Sequence, residues 1–183
     1  MKRWVLFAVI ALCVALAVSP ASAWRGEVGW TFKADSAITS GVAVADNLVL
    51  VGDATGTLYA VQRASGQLAW SYKGTNSIAG TPSIVKGDGD GRVVFAQENG
   101  AVTCLNLADG SFVWRNLPSE DSATTMSDGT AAGGGKVFLV RGDGKLYALG
   151  AADGRPLWAT GLDQSLRAAP AFDTGSGLVL LGS

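Results

Sequence analysis

GKLYALGAADGRPLW, residues Gly144 to Trp158, decides the fold, because near-copies of it recur upstream. Trp30, Trp70, Trp114 and Trp158 lie 40, 44 and 44 residues apart, and a glycine stands four positions before each: Gly26, Gly66, Gly110 and Gly154. Ten residues ahead of the last three glycines are Gly56, Gly100 and Gly144, which open the apolar segments GTLYAV, GAVTCL and GKLYAL. Three landmarks repeating in register at about 40 residues mark a solenoid, propeller or array.

Inside one period every local signal is for strands. GTPSIV at 80–85 places its proline near a strand start, where a missing N–H does least harm. RVVFAQ at 92–97 is β-branched and aromatic, ENG turns, AVTCLN continues, LADG turns again, and SFVWRN follows. Four antiparallel strands per period make one propeller blade. A sandwich has no reason to space glycine and tryptophan at a fixed interval. No later stretch carries sustained helical periodicity. The expectation is an all-β propeller of four-stranded antiparallel blades.

The chain opens MKRWVLFAVIALCVALAVSPASA: Lys2 and Arg3, an uncharged apolar run from Trp4 to Val18, then Ala21-Ser22-Ala23. This is the build of a secretory signal peptide, with cleavage expected between Ala23 and Trp24, and the run is short for a membrane span. Leu12 directly before Cys13 departs from the small residue that lipoprotein acylation requires, so no lipid anchor is expected. Loss of residues 1–23 leaves 12 of the 14 basic residues against 15 acidic ones, a net charge near −3 that argues against nucleic acid or an anionic membrane as partner. Cys104 is then the one cysteine, so no internal disulfide can form. With no histidine in the sequence, Ser-His, Cys-His and His-zinc chemistry are excluded for this chain.

The pattern G-x-L-Y-A-[LV], a turn ending in glycine, then x-x-x-Trp resembles the repeat of the pyrroloquinoline-quinone (PQQ) type β-propellers. Residues 48–70 and 137–158 carry it closely; residues 93–114 carry it with Thr103 and Cys104 where the other copies have Tyr and Ala. The resemblance spans the expected mature chain, 24–183, in copies ending near Trp30, Trp70, Trp114 and Trp158. It implies that each tryptophan lies flat on the adjacent blade as a structural docking motif with Gly66, Gly110 and Gly154. Four equivalent positions argue for one shared structural job and against a ligand-stacking role.

Cys104 stands where Ala60 and Ala148 stand in the other copies and reads as a small buried hydrophobe. KGDGDGR at 86–92 fails as an EF-hand, because Arg92 and Asn99 occupy positions that need acidic ligands, and reads as a polar turn. PSEDSATTMSDGT at 118–130 is the stretch least like its counterparts, and Ser119, Glu120, Asp121 and Asp128 make it a possible recognition loop.

After Trp158, AAPAF and LVLLGS match the first two strands of a fourth blade. Three blades and two strands amount to about half of the seven- or eight-blade ring that the resemblance implies. The expectation is an incomplete ring and a fragment of a longer propeller. EVGWTFK at 27–33 is expected to be an outermost strand, and missing blades or another chain would close the ring. The function implied is a non-catalytic, secreted or periplasmic scaffold that binds a protein partner. It resembles the propeller subunit of the outer-membrane barrel assembly machinery (BamB) and needs no cofactor. Two alternatives stay open. One is the N-terminal part of a PQQ-dependent dehydrogenase, which would require PQQ and calcium but whose adjacent cysteines this chain lacks. The other is an extracellular sensor or surface module.

Overall fold

The computed structural model describes residues 28–86, 91–118, 126–162 and 168–182, with the side chains of 126–128 outside the description. The expected signal peptide with Ala23 and Trp24, together with Gly26, Ser119, Glu120 and Asp121, lies outside these residues.

The described chain is an incomplete β-propeller. Its first blade is β1 (Ala43–Ala45), β2 (Leu48–Gly52), β3 (Thr57–Gln62) and β4 (Leu68–Lys73). The second is β5 (Ile78–Val85), β6 (Arg92–Gln97), β7 (Val102–Asn106) and β8 (Phe112–Asn116). The third is β9 (Met126–Gly133), β10 (Lys136–Arg141), β11 (Lys145–Gly150) and β12 (Pro156–Gly161), and a hairpin of β13 (Ala171–Asp173) and β14 (Leu178–Leu180) begins a fourth. Each full blade is an antiparallel meander in sequence order. Between blades the innermost strands meet in parallel: Thr81 on β5 bridges Gly129 on β9, and Gly41 N donates to Gly80 O at 3.2 Å.

The core lies between blades, which explains why β6 and β10 are continuously apolar and do not alternate. Side chains of a strand point to opposite faces in turn, and here both faces are covered. From β6, Val93 and Phe95 pack with Leu50, Leu58 and Ile78 of the first junction. Val94 points the other way, among Val137, Leu139 and Leu149. On β10, Phe138 and Val140 face Phe172 and Val179 of the last hairpin, where the Phe138 and Phe172 rings stack at 5.4 Å.

Two antiparallel hairpins per blade place the β2–β3 type turns and the blade-to-blade connections on one face of the propeller. The β1–β2 and β3–β4 type turns fall on the other. The expected strand over 27–33 is not one in the described part: residues 28–34 have no ladder partners among the described residues. A strand exists by pairing, and the described β13–β14 hairpin offers this segment no third strand to pair with. Side-chain contacts hold it instead, including Phe32 against Tyr59 at 5.4 Å.

Candidate functional site

Each outer strand carries a bulge one residue before its tryptophan. Ala60 pairs with Trp70 but Val61 with Leu68, and the same slip recurs after Cys104↔Trp114 and Ala148↔Trp158. A bulge twists the strand and re-aims its side chain, here toward the next blade. The residue opposite the indole is always small, Ala60, Cys104 or Ala148. Trp30 Nε1 donates to Arg63 O at 2.8 Å, Trp70 Nε1 to Leu107 O at 3.0 Å, and Trp114 Nε1 to Ala151 O at 3.0 Å.

Beneath the three indoles lie Gly66, Gly110 and Gly154, all with positive φ, and a Cβ on any of them would strike the ring. Trp158 has no such socket among the described residues; it is 41% exposed and leans on Phe138 at 6.0 Å. The indoles of Trp30, Trp70 and Trp114 are thus engaged in blade-to-blade contacts, each with one face on its glycine and its N–H on a carbonyl of the next blade.

Sequence reading overlooked three other residues that the fold makes equivalent. Gln97 and Arg141 end the second strands of their blades and Asp53 follows directly on β2; each stands three positions before Gly56, Gly100 or Gly144, and all three are buried. The signal was present in GDATG, AQENG and VRGDG, where a polar side chain follows an apolar run at one fixed register.

Asp53 accepts from the Thr57 and Thr55 amides at 2.8 and 2.9 Å, from the Thr55 hydroxyl at 2.9 Å and from Tyr59 OH at 3.0 Å. Burial works to raise its pKa, but these four donors together hold the carboxyl below its ordinary value. Burial also raises the Tyr59 phenol. A carboxylate so saturated is kept ionised and occupied in shaping the turn.

Gln97 donates to Asn76 O at 2.7 Å, which ties the second blade to the connection from the first. Arg141 donates to Asn116 Oδ1 at 2.7 Å and lies over the Tyr147 ring at 4.7 Å. Its Nε has no hydrogen-bond partner among the described residues. Burial lowers the Arg141 pKa, opposed by Tyr147 and Asp143. One repeat position therefore holds an anion, an amide and a cation, all buried, beneath the β2–β3 type turns.

Of the possible recognition loop, Asp128 falls within β9 with its side chain outside the description. Cys104 is fully buried, and burial pushes its thiol up to about 12, which suppresses the thiolate. Among the described residues no three of His, Cys, Asp and Glu gather as metal ligands, and no helix is long and apolar enough to cross a membrane.

A family model described as outer membrane protein assembly factor BamB matches residues 15–128 and 98–180. No curated protein matches the chain. Among solved structures, BamB from Moraxella catarrhalis aligns with a TM-score of 0.67 at 21% identity, over 84% of this chain and 55% of that one. Quinohemoprotein alcohol dehydrogenase from Comamonas testosteroni aligns with a TM-score of 0.61 at 17% identity, over 73% of this chain and 22% of that one. The computationally designed protein Ika4 aligns with a TM-score of 0.65 at 19% identity, over 86% of this chain and 98% of that one. The chain thus spans about half the length of the Moraxella protein. At these identities the structural likenesses speak for the fold, and the family model adds the kinship: the chain belongs to the PQQ-like β-propeller family of the outer membrane protein assembly factor BamB.

Proposed function

We propose that the protein is a non-catalytic scaffold of the bacterial cell envelope, exported to the periplasm, that binds a protein partner in outer-membrane protein assembly. The observation that carries this reading is the match to the BamB family model along most of the chain. Two features of the structure support it. The buried carboxylate, Asp53, is saturated by four donors that occupy it in shaping a turn. The β2–β3 type turns beside Asp53, Gln97 and Arg141 differ from blade to blade and lie on one face, with Ala54 and Glu98 exposed there, and loops set on a rigid scaffold carry contacts.

Site-specific photocrosslinking in cells tests it. A crosslinker at Ala54 or Glu98, both exposed at β2–β3 type turns, should capture components of the outer-membrane assembly machinery, while one at Ala64 or Ala152 on the opposite face should capture them far less. Capture from neither face, or alcohol-dependent dye reduction by the purified protein with PQQ and calcium, would overturn the reading.

A further inference from the structure

Of the five asparagines in the sequence, Asn99 alone is followed by glycine; Asn47, Asn106 and Asn116 precede leucine and Asn76 precedes serine. The neighbour matters because an asparagine side chain is open to attack at Cγ by the next backbone nitrogen, and glycine has no Cβ to obstruct the approach. Asn99 is exposed in the turn between β6 and β7, and its Oδ1 accepts from the Ala101 amide at 3.2 Å. That bond folds the side chain back along the Gly100 peptide, toward the nitrogen that would attack it.

The repeat supplies two counterparts, Thr55 and Asp143, each directly before its turn glycine. The three turns share one frame. Gly56, Gly100 and Gly144 have φ of 87°, 83° and 73°, and their N–H groups donate to Asp53 O, Gln97 O and Arg141 O at 3.1, 2.9 and 3.0 Å. Asp143 Oδ1 accepts from the Lys145 amide at 3.2 Å, the same bond that Asn99 makes one blade earlier. An aspartate at 99 therefore fits the turn without moving its backbone.

We infer that Asn99 is a site of spontaneous deamidation, and that the fold accepts the aspartate produced but not the isoaspartate. The Gly100 nitrogen bonds to Asn99 Cγ and gives up its proton; the Cγ–Nδ2 bond breaks and Nδ2 leaves as ammonia. Water then opens the cyclic imide. Cleavage between Cγ and the Gly100 nitrogen restores the main chain and leaves aspartate. Cleavage between the residue-99 carbonyl carbon and that nitrogen routes the chain through Cγ, and the extra backbone atom spoils the turn closed by Gly100 N–H and Gln97 O. In the folded chain that hydrogen bond restrains the attacking nitrogen, so the reaction proceeds through openings of the turn. The product is a carboxylate ionised at neutral pH, beside Glu98 on the face that carries the β2–β3 type turns. The inference needs only the turn and stands apart from the scaffold reading.

The test holds the full chain at pH 8, native and in urea, and follows every asparagine by peptide mapping with mass spectrometry. Asn99 should convert about tenfold ahead of Asn76 in the native chain, and the three asparagines before leucine should lag further, since their neighbours' side chains obstruct the attack. Conversion of Asn99 should be faster in urea. Asn99→Thr, which copies the first blade, should abolish the leading acidic isoform. Asn99→Asp, which copies the third, should reproduce its charge and melt with the wild type. Chains carrying isoaspartate, separated by chromatography, should melt below those carrying aspartate. Should Asn99→Thr not fold, the mapping of the wild-type chain decides the matter. Conversion of another asparagine ahead of Asn99, an acidic isoform that survives Asn99→Thr, or equal melting of the two products would each overturn the inference.

Discussion

Replacing Gly110 by alanine tests whether the indole contacts hold the blades together, and Gly144 supplies an internal control. The two glycines have nearly the same left-handed backbone, φ 72° and 73°, so the strain of placing an L-residue there, about 1–2 kcal/mol, is common to both. They differ in what a Cβ would meet. At Gly144 nothing lies within 4 Å, whereas at Gly110 the Cβ would come to 2.5 Å from Trp70 Cε3, inside the 3.4 Å where ordinary contact begins.

The Trp70 ring must therefore retreat by about 0.9 Å, which stretches its 3.0 Å bond to Leu107 O beyond hydrogen-bonding reach. The lost bond costs about 1 kcal/mol and the overpacking about 1–3 kcal/mol. Gly144→Ala should thus destabilise by about 1–2 kcal/mol and Gly110→Ala by about 2–4 kcal/mol more. At about 2–4 °C per kcal/mol for a chain of this size, their melting temperatures should differ by roughly 4–16 °C. Urea and thermal unfolding of both variants, repeated on a Trp70→Ala background, give the readout. Equal costs for the two alanines, or a Gly110→Ala cost unchanged when Trp70 is absent, would refute the docking argument.

Asp53 has a depressed pKa in the folded chain. Its stabilising contribution is therefore present above the unfolded value, about 3.9, and lost as pH falls through the folded one. Asp53→Asn should lower the melting temperature at pH 7 and flatten its decline in acid, as a melting series from pH 7 to pH 3 would show. Cys104, buried and held protonated, should resist iodoacetamide at pH 8 in the native protein and alkylate fully in urea, by mass spectrometry. Arg92→Leu should cost about 1–3 kcal/mol through the loss of its two hydrogen bonds to Ala151 O and Ala152 O, read as a lower urea midpoint. Phe172→Ala, which removes the stack on Phe138, should cost about 2 kcal/mol and release the β13–β14 hairpin to faster amide exchange while the first blade stays protected.

The fold was legible because the features that make a blade are the ones that repeat. RVVFAQ at 92–97 coincides with β6 and its ends are set by Gly91 and the ENG turn; AAPAF runs into β13, which ends one residue beyond it, and LVLLGS contains β14. The 27–33 segment was less so, since strand propensity is a local property and pairing is not: Trp30 finds its socket at Gly66, yet the backbone around it has no neighbour to make a ladder. The polar set at Asp53, Gln97 and Arg141 escaped because the search was for sameness, and this position is the same in place and different in kind.

That distinction bears on how a repeat protein acquires a site. Where one geometry must be made three times, the sequence is constrained to one answer. Only glycine tolerates φ near 70° beneath an indole, and only a small residue fits opposite it, as Ala60, Cys104 and Ala148 do. Where the geometry tolerates several answers, each blade can differ at no cost to its neighbours, because a repeat contacts only the repeats beside it. The start of the second strand is such a place. With Arg92 there the blades are tied by a guanidinium to the carbonyls of Ala151 and Ala152; with Leu48 there the same wedge closes on a buried apolar cluster that includes Leu107, the counterpart of Ala151. One repeat position thus exchanges a polar tie for an apolar one, and the residue opposite changes with it: small Ala151 where the long arginine crosses, larger Leu107 where leucine does.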